Sequence, residues 1–303
     1  MEITIKEDNY VSVVAVVRNM EGSIEEKMKK LDETLSVNFL HYEIVMVDNF
    51  STDKTLLKLS ELNKKITIIE LSRPHNLQQA LMAGVDISIG DFIIEIDNIS
   101  YIEDFSIIMD LYHTSLEGYD FVFYSPKKIP LGSRLFYKLI NNYYKSKFNS
   151  DINSALIVLS SRRGQNKVSE TGSIVVNRSI SYVLSGLNYK TLLSDVKYIN
   201  HRGFMENLDL MFETLINHTN LIPKVATGIS LLFFIISLGF LFYSIFIFTT
   251  IGAIVGWTSI TMILSFSFCG VFLMFAVALK YLFSILNVTK KAKPYSYRSV
   301  IKK

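Results

Sequence analysis

Gly90-Asp91-Phe92-Ile93-Ile94-Glu95-Ile96-Asp97-Asn98-Ile99-Ser100 is an apolar run of strand length that closes on a carboxylate and then turns polar. A short run rich in Ile and Phe, bounded by turn signals, predicts a fully buried strand of a parallel sheet. In open α/β sheets, ligands sit beyond the carboxyl ends of the strands, which puts Asp97 where a site is expected. Side chains alternate along a strand, so Glu95 and Asp97 share one face. Two carboxylates on a buried face need a metal ion or a cationic partner. Taken alone, Asp97 reads more simply as a cap for the following turn; the surrounding sequence shifts that reading.

Upstream, the same grammar repeats. Residues 10–19 form an apolar strand ending in Arg18 and Asn19, and Tyr42–Val47 a second that runs into Asp48-Asn49-Phe50-Ser51-Thr52-Asp53. Ile66–Leu71 is a third, followed by Arg73. Between them lie helical stretches at Ile24–Leu35, Thr55–Leu62 and Leu77–Ile87, the first opening on Ser23 and Glu26 with the spacing of a capping box. Strand alternating with helix at this pitch predicts a doubly wound, mostly parallel sheet. Polar residues recur at strand ends (Asn19, Asp48, Ser51, Arg73, Asp97), which argues for a ligand crevice rather than isolated caps. Downstream, a helix follows Ser106, and Phe121–Tyr124 is a further strand, leading to Lys127 and Lys128. Residues 133–147 form an aromatic–basic amphipathic helix that suits a membrane surface or ordinary packing equally. Ala155–Leu159 is a short strand followed by Arg162 and Arg163, and Tyr198–His201 a candidate last strand.

The chain of 303 residues is half hydrophobic, with a mean hydropathy of +0.30, which suggests soluble and membrane parts together. A net charge of +3, with no basic stripe, gives no sign of a nucleic-acid partner. The lone Cys269, within an apolar run, provides neither a disulfide framework nor a thiolate metal site. Ala226–Thr250 and Thr258–Leu279 hold no charged residue, and each exceeds the ~20 residues that cross a bilayer. Lys224 flanks the first run, and the tail beyond the second carries Lys280, Lys290, Lys291, Lys293, Arg298, Lys302 and Lys303. The positive-inside rule then predicts a multi-pass protein of the inner (plasma) membrane, with the large domain and both termini cytoplasmic. Three parts are expected: a cytoplasmic domain over 1–222, a transmembrane hairpin over 223–289 (helices about 226–250 and 258–286), and a basic tail over 290–303. The polar start, Met1–Asn9, lacks the apolar core of a signal peptide.

These residues together resemble family 2 glycosyltransferases of the polyprenyl-phosphate type, related to dolichyl-phosphate mannose synthase and bacterial undecaprenyl-phosphate glucosyltransferases. VVAVVRN (13–19) looks like the family's opening strand, and EIVMVDNFSTDKT (43–55) its strand, Asp-Asp-Gly-Ser turn and helix start. LSRPHNLQQALMAGVDISIGD (71–91) is similar to the Ser-Arg-Asn segment and its Ala-Gly helix, and the spacing from Gly90 puts Asp97 on the first Asp of the metal-binding Asp-X-Asp. SRLFYKLIN (133–141) and KAKPYSY (291–297) resemble the acceptor-side segment and the tail beyond the second membrane helix.

The resemblance implies a GT-A-like fold, a nucleotide-sugar donor, Mg²⁺ or Mn²⁺, a polyprenyl-phosphate acceptor and a homo-oligomer packed through the hairpins. It assigns Asn19, Asp48, Ser51, Arg73 and Asp97 to the donor, Asp97 with Glu95 to the metal, and Asp97, Lys127, Lys128 and Arg162 to catalysis and the acceptor phosphate. The chain departs from the family pattern at Asn49, Phe50, Pro74-His75-Asn76-Leu77, Tyr101 and Ile157, and above all at Ile99, where the second metal Asp stands. Glu95, Glu103 or Asp104 is left to supply that carboxylate. A catalytically silent scaffold or regulator of another glycosyltransferase is the alternative these departures favour.

Overall fold

The computed structural model describes residues 6–62, 65–144, 152–170, 177–195, 204–219 and 295–302, with scattered positions between 221 and 285. In chain order the elements are β1 (Val11–Val17), α1 (Ile24–Asn38), β2 (Tyr42–Asp48), α2 (Thr55–Glu61), β3 (Ile66–Leu71), α3 (Leu77–Val85) and β4 (Phe92–Ile96). A 3-10 turn at Ile99–Tyr101 leads to α4 (Ile107–Leu116), β5 (Phe121–Pro126), α5 (Leu131–Tyr144), β6 (Ile157–Ser161), α6 (Arg162–Glu170), α7 (Arg178–Leu184) and β7 (Tyr189–Ser194). Then come α8 (Phe204–His218) and β8 (Tyr297–Lys302). One sheet holds all the strands in the order β7-β5-β6-β4-β1-β2-β3-β8.

All seven residues of β1 are buried, because the strand carries apolar side chains on both faces and is covered on both. Val13, Ala15 and Val17 join one core with Ile24, Met28, Leu31 and Leu35 of α1. Val14 and Val16 join the other, with Ala80, Leu81 and Ala83 of α3. Strands β2 and β4 pair with β1 in parallel on its two sides, Val17 opposite Asp48 and Ala15 opposite Ile96. Winding outward through β2 and β3 and then returning to β4 creates a switch point between β1 and β4.

The sheet is mixed rather than wholly parallel. Strand β6 runs antiparallel to both β4 and β5, and β8 antiparallel to β3. The carboxyl-terminal residues thus belong to the first compact unit, Met1–Gly203 with Ala292–Lys303, while Phe204–Lys291 forms the second. Tyr295 is buried and its hydroxyl meets Asp86, and Arg298 pairs with Glu70 at 2.7 Å. Ser23 does begin α1, but its side chain makes no cap bond, so the capping box does not form; Glu26 pairs with Lys30 at 2.6 Å instead. The candidate strand Tyr198–His201, residues 145–147 of the amphipathic helix, and most of the two expected membrane runs lie outside the described residues. Among the described residues no helix is long and apolar enough to cross a membrane.

Close packing of α3 on the sheet depends on Gly84. A Cβ there would sit 2.3 Å from Val14 Cγ1 and 3.0 Å from Val47 Cγ2. Gly84→Ala is expected to cost about 1–3 kcal/mol through overpacking. Thermal melts check this, and Val14→Ala in the same chain should recover part of the loss by opening the space the methyl needs.

Candidate functional site

Parallel pairing brings the carboxyl ends of β1, β2, β3, β4 and β5 to one edge of the sheet, so the polar residues beyond them meet there. Asn19 and Phe50 adopt left-handed backbone angles, φ 51° and 61°. Asn tolerates this conformation, whereas a bulky residue adopts it at a cost of roughly 1–2 kcal/mol. Phe50 stands where the resemblance has Gly, so the turn's shape is kept although its preferred residue is lost. The Asn19 side chain accepts from the Thr52 N–H at 2.9 Å, and the Asn19 N–H donates to Ser51 Oγ at 3.0 Å. Asp48 is buried and accepts from the Ser51 hydroxyl and, at 3.2 Å, from the Ser51 N–H. Asn19, Asp48 and Ser51 are one hydrogen-bonded unit. Arg73 lies exposed beyond β3 in the neighbouring loop.

That loop is held from two directions. Asn49 exchanges two bonds with the His75 backbone, each 2.9 Å. His75 Nε2 accepts from the Ser296 N–H at 3.2 Å, which leaves the proton on Nδ1, 2.6 Å from the Arg73 carbonyl oxygen. The departures Asn49 and His75 therefore build the loop rather than simply erase a motif.

Asp97 follows β4 at the same edge, its N–H bonded to the Leu156 carbonyl at 3.0 Å. Its carboxylate pairs with Arg178, whose other Nη donates to Glu95 at 3.4 Å. Arg178 and Glu95 are almost wholly buried, and the Asp97 side chain retains 17% exposure. Tyr182, four residues beyond Arg178 on the same face of α7, donates to Glu95 at 2.5 Å, and Gln165 of α6 adds a contact at 3.2 Å. Burial pushes the Glu95 carboxyl up, against the opposing pull of Arg178 and Tyr182. Burial and the Glu95 charge hold the Tyr182 phenol well above its ordinary value. Arg178, Tyr182 and Gln165 were not legible as site residues. The Asn177 cap and the Arg-to-Tyr spacing of one helical turn are the only traces they leave in the sequence.

The remaining expected residues divide. Lys127 and Lys128 are exposed just beyond β5, at the cleft edge, where Lys127 Nζ meets Asp195 at 2.9 Å. Arg162 is a correction. Because β6 runs antiparallel to β4, with Ser161 opposite Phe92, Arg162 lies at the far edge of the sheet. It donates there to the carbonyls of Ser88, at 2.8 Å, and Gly90, at 2.7 and 3.0 Å, so it braces the entry to β4 and is remote from the cleft. Arg163 pairs with Asp120 at that same far edge. Ile99 is fully buried in the core with side chains of α1 and α4. Glu103 lies 3.4 Å from Lys27 and Asp104 accepts from Ser106 at the start of α4; neither belongs to a group of three metal-ligating side chains among the described residues.

The family model for glycosyl transferase family 2 matches residues 12–163. The chain belongs to glycosyltransferase family 2. It is 33% identical over 142 residues to an uncharacterized glycosyltransferase of Synechocystis sp., covering 43% of this chain and 44% of that one. Over 89 residues it is 33% identical to a dolichol-phosphate mannosyltransferase of Pyrococcus furiosus, covering 29% of this chain and 25% of that one. The chain thus spans less than half the length of these relatives. Among solved structures, a mannosyltransferase from Pyrobaculum calidifontis, in complex with GDP-Man and Mn²⁺, matches with a TM-score of 0.50 and 18% identity. That match covers 72% of this chain and 64% of that one, and shows a shared GT-A-like fold.

The residues here do not themselves compose a metal site of the expected kind. Glu95 and Asp97 are bridged by a guanidinium, Ile99 points into the core, and no group of three His, Cys, Asp or Glu suited to a metal occurs among the described residues.

Burial is also the main influence on Asp48, and it raises the carboxyl above its ordinary value despite the Ser51 hydrogen bonds. A raised acid contributes stability that is full below the unfolded value of about 3.9 and is lost as pH rises through the folded value. Asp48→Asn removes this dependence, so its stability relative to the parent should improve between pH 4 and pH 7. Urea melts at the two pH values measure it; an unchanged difference would contradict the assignment.

Proposed function

We propose that this protein is an inverting transferase that moves one sugar from a nucleotide-sugar donor to a polyprenyl phosphate at the cytoplasmic membrane face, for cell-surface glycan assembly or modification. The observation that carries the reading is the meeting of Asn19, Asp48, Ser51 and Asp97 at the switch point of a family 2 sheet, with two lysines at the same edge. In the proposed reaction, an acceptor phosphate oxygen bonds to the anomeric carbon as the bond from that carbon to the nucleoside diphosphate breaks. The leaving group carries away the electron pair. The acceptor is already an anion, so no strongly activated base is required; holding it in line is the main requirement. The Asp48 unit takes the nucleoside, Arg73 lies on the donor side, and Asp97 accepts from sugar hydroxyls. Lys127 and Lys128 hold the acceptor phosphate. The exposed Lys127–Asp195 pair is of a kind worth at most about 1 kcal/mol, so exchanging it for a phosphate costs little.

Two observations support a lipid acceptor and a multi-pass membrane protein. Leu131, Leu135 and Leu139 form an exposed apolar stripe along α5, 73%, 68% and 44% accessible, beside Arg134 and Lys138. A helix with this face suits a bilayer surface. Within the second unit Phe233 packs over Gly270, where a Cβ would lie 2.6 Å from the ring, as neighbouring helices of a hairpin require. Large side chains such as Leu232, Ile235, Leu264, Phe268 and Phe275 are each more than half exposed there. The hairpin is also the natural contact for a homo-oligomer. The scaffold reading draws its support from the engagement of Asp97 by Arg178.

The test is a transfer assay on full-length protein in detergent with undecaprenyl phosphate, a panel of nucleotide sugars, and buffers with Mg²⁺ or Mn²⁺. Labelled lipid is expected, falling by roughly a hundredfold or more in Asp97→Ala and in the double variant Lys127→Ala/Lys128→Ala. Absence of both product and nucleotide binding would leave the scaffold reading in its place.

A further inference from the structure

We propose that Arg178 stands in for a divalent ion between Glu95 and Asp97, so that this chain binds a nucleoside diphosphate without a protein-held metal. The donor half of this statement rests on the function proposed above; the metal half stands on the geometry alone. Arg178 reaches both carboxylates at once, through Nη1 to Glu95 and Nη2 to Asp97. Its position is fixed from three sides. The Arg178 N–H donates to Gln78 of α3 at 3.1 Å, Asn177 caps α7 by accepting from the Ile180 N–H at 3.3 Å, and Tyr182 anchors the same Glu95 one turn later. A planar guanidinium with a fork of donors matches a pair of carboxylates and cannot lose its charge. Once such a pair is buried, breaking it leaves an unpaired charge in the interior, which is far costlier than keeping it.

The groups a metal would need are occupied or turned away. Asn98 accepts from the Ser100 N–H at 2.9 Å and from its hydroxyl at 2.6 Å, while Ile99 is core. Glu103 and Asp104 make local contacts with Lys27 and Ser106, and they do not join Glu95 and Asp97 in a group of three metal-ligating side chains among the described residues. An oxygen-seeking cation such as Mg²⁺ or Mn²⁺ is therefore left with one carboxylate, already neutralised. The diphosphate charge then falls to the exposed cations at the cleft rim. Arg18 beyond β1 and Arg73 beyond β3 both stand at the carboxyl ends of parallel strands.

The experiment titrates Mn²⁺ into the full-length protein in detergent and follows the electron paramagnetic resonance of the free aqua ion. The parent protein is expected to leave the signal unchanged. Removing the guanidinium in Arg178→Gln takes away the cation that bridges Glu95 and Asp97, so this variant is expected to deplete the signal, and Asp97→Asn added to it to restore the signal. Mn²⁺ uptake by the parent that disappears in Asp97→Asn would overturn the proposal, as would a folded Arg178→Gln protein that takes up none. Circular dichroism establishes whether that variant folds, and if it does not, the parent titration decides. In a second arm, calorimetry measures GDP and UDP binding in EDTA and in MnCl₂. Affinities agreeing within about threefold are expected, and a gain beyond roughly tenfold with Mn²⁺ would overturn the proposal. If neither nucleotide binds in either buffer, the proposed transfer function fails, while the Mn²⁺ titration still decides the role of Arg178.

Discussion

Strand β1 is the constraint on which the rest depends. It is buried along its whole length, and its two parallel partners come from opposite sides of the switch point. A one-residue slip of β2 or β4 against it would turn every side chain of that strand to the other face, so the two apolar cores hold the register. Register in turn sets the site. With Val17 opposite Asp48 and Ala15 opposite Ile96, the carboxylates Asp48 and Asp97 flank the end of β1, and Asn19 emerges between them.

The two carboxylates at that edge are handled in different ways. Asp48 is buried with hydrogen-bond donors from Ser51 but no cation among the described residues, and its carboxyl is raised. Asp97 has a guanidinium and stays partly exposed. Between them, Asn19 and Phe50 hold left-handed turns that a chain adopts only where surrounding contacts enforce them. Strain and a buried carboxyl in one loop cluster lower stability at a place suited to ligand binding. Departures from the family pattern gather here as well, and two have found structural employment: Asn49 ties down His75, and His75 receives the returning carboxyl-terminal segment.

That returning strand links distant parts of the chain. Tyr295 enters the core on the α3 side, and β8 adds to the edge of β3, covering backbone groups that would otherwise be left unpaired. Since residues 292–303 follow the second compact unit in sequence, the first unit is built from segments on both sides of it.

Strands β1 to β5 and the helices between them were legible because they are local patterns: apolar runs buried on two faces, helical spacing, and polar residues at strand ends. The cluster of Asn19, Asp48, Ser51 and Asp97 followed from the same reading, since parallel strands bring their carboxyl ends together whatever the details. The direction of β6 was not legible, because a five-residue apolar run reads alike either way; that direction alone moved Arg162 from the cleft to the far edge. Nor was the unformed Ser23 cap, which depends on side-chain rotation. Arg178 was hidden for the plainest reason: its partners Glu95 and Asp97 lie more than 80 residues away along the chain. By itself the sequence determined the alternation of elements, the family pattern and the edge at which polar residues collect, because these follow from periodicity and short-range chemistry. Only the tertiary structure decided which cation faces Asp97, because a buried charge takes whichever partner the packing brings within reach.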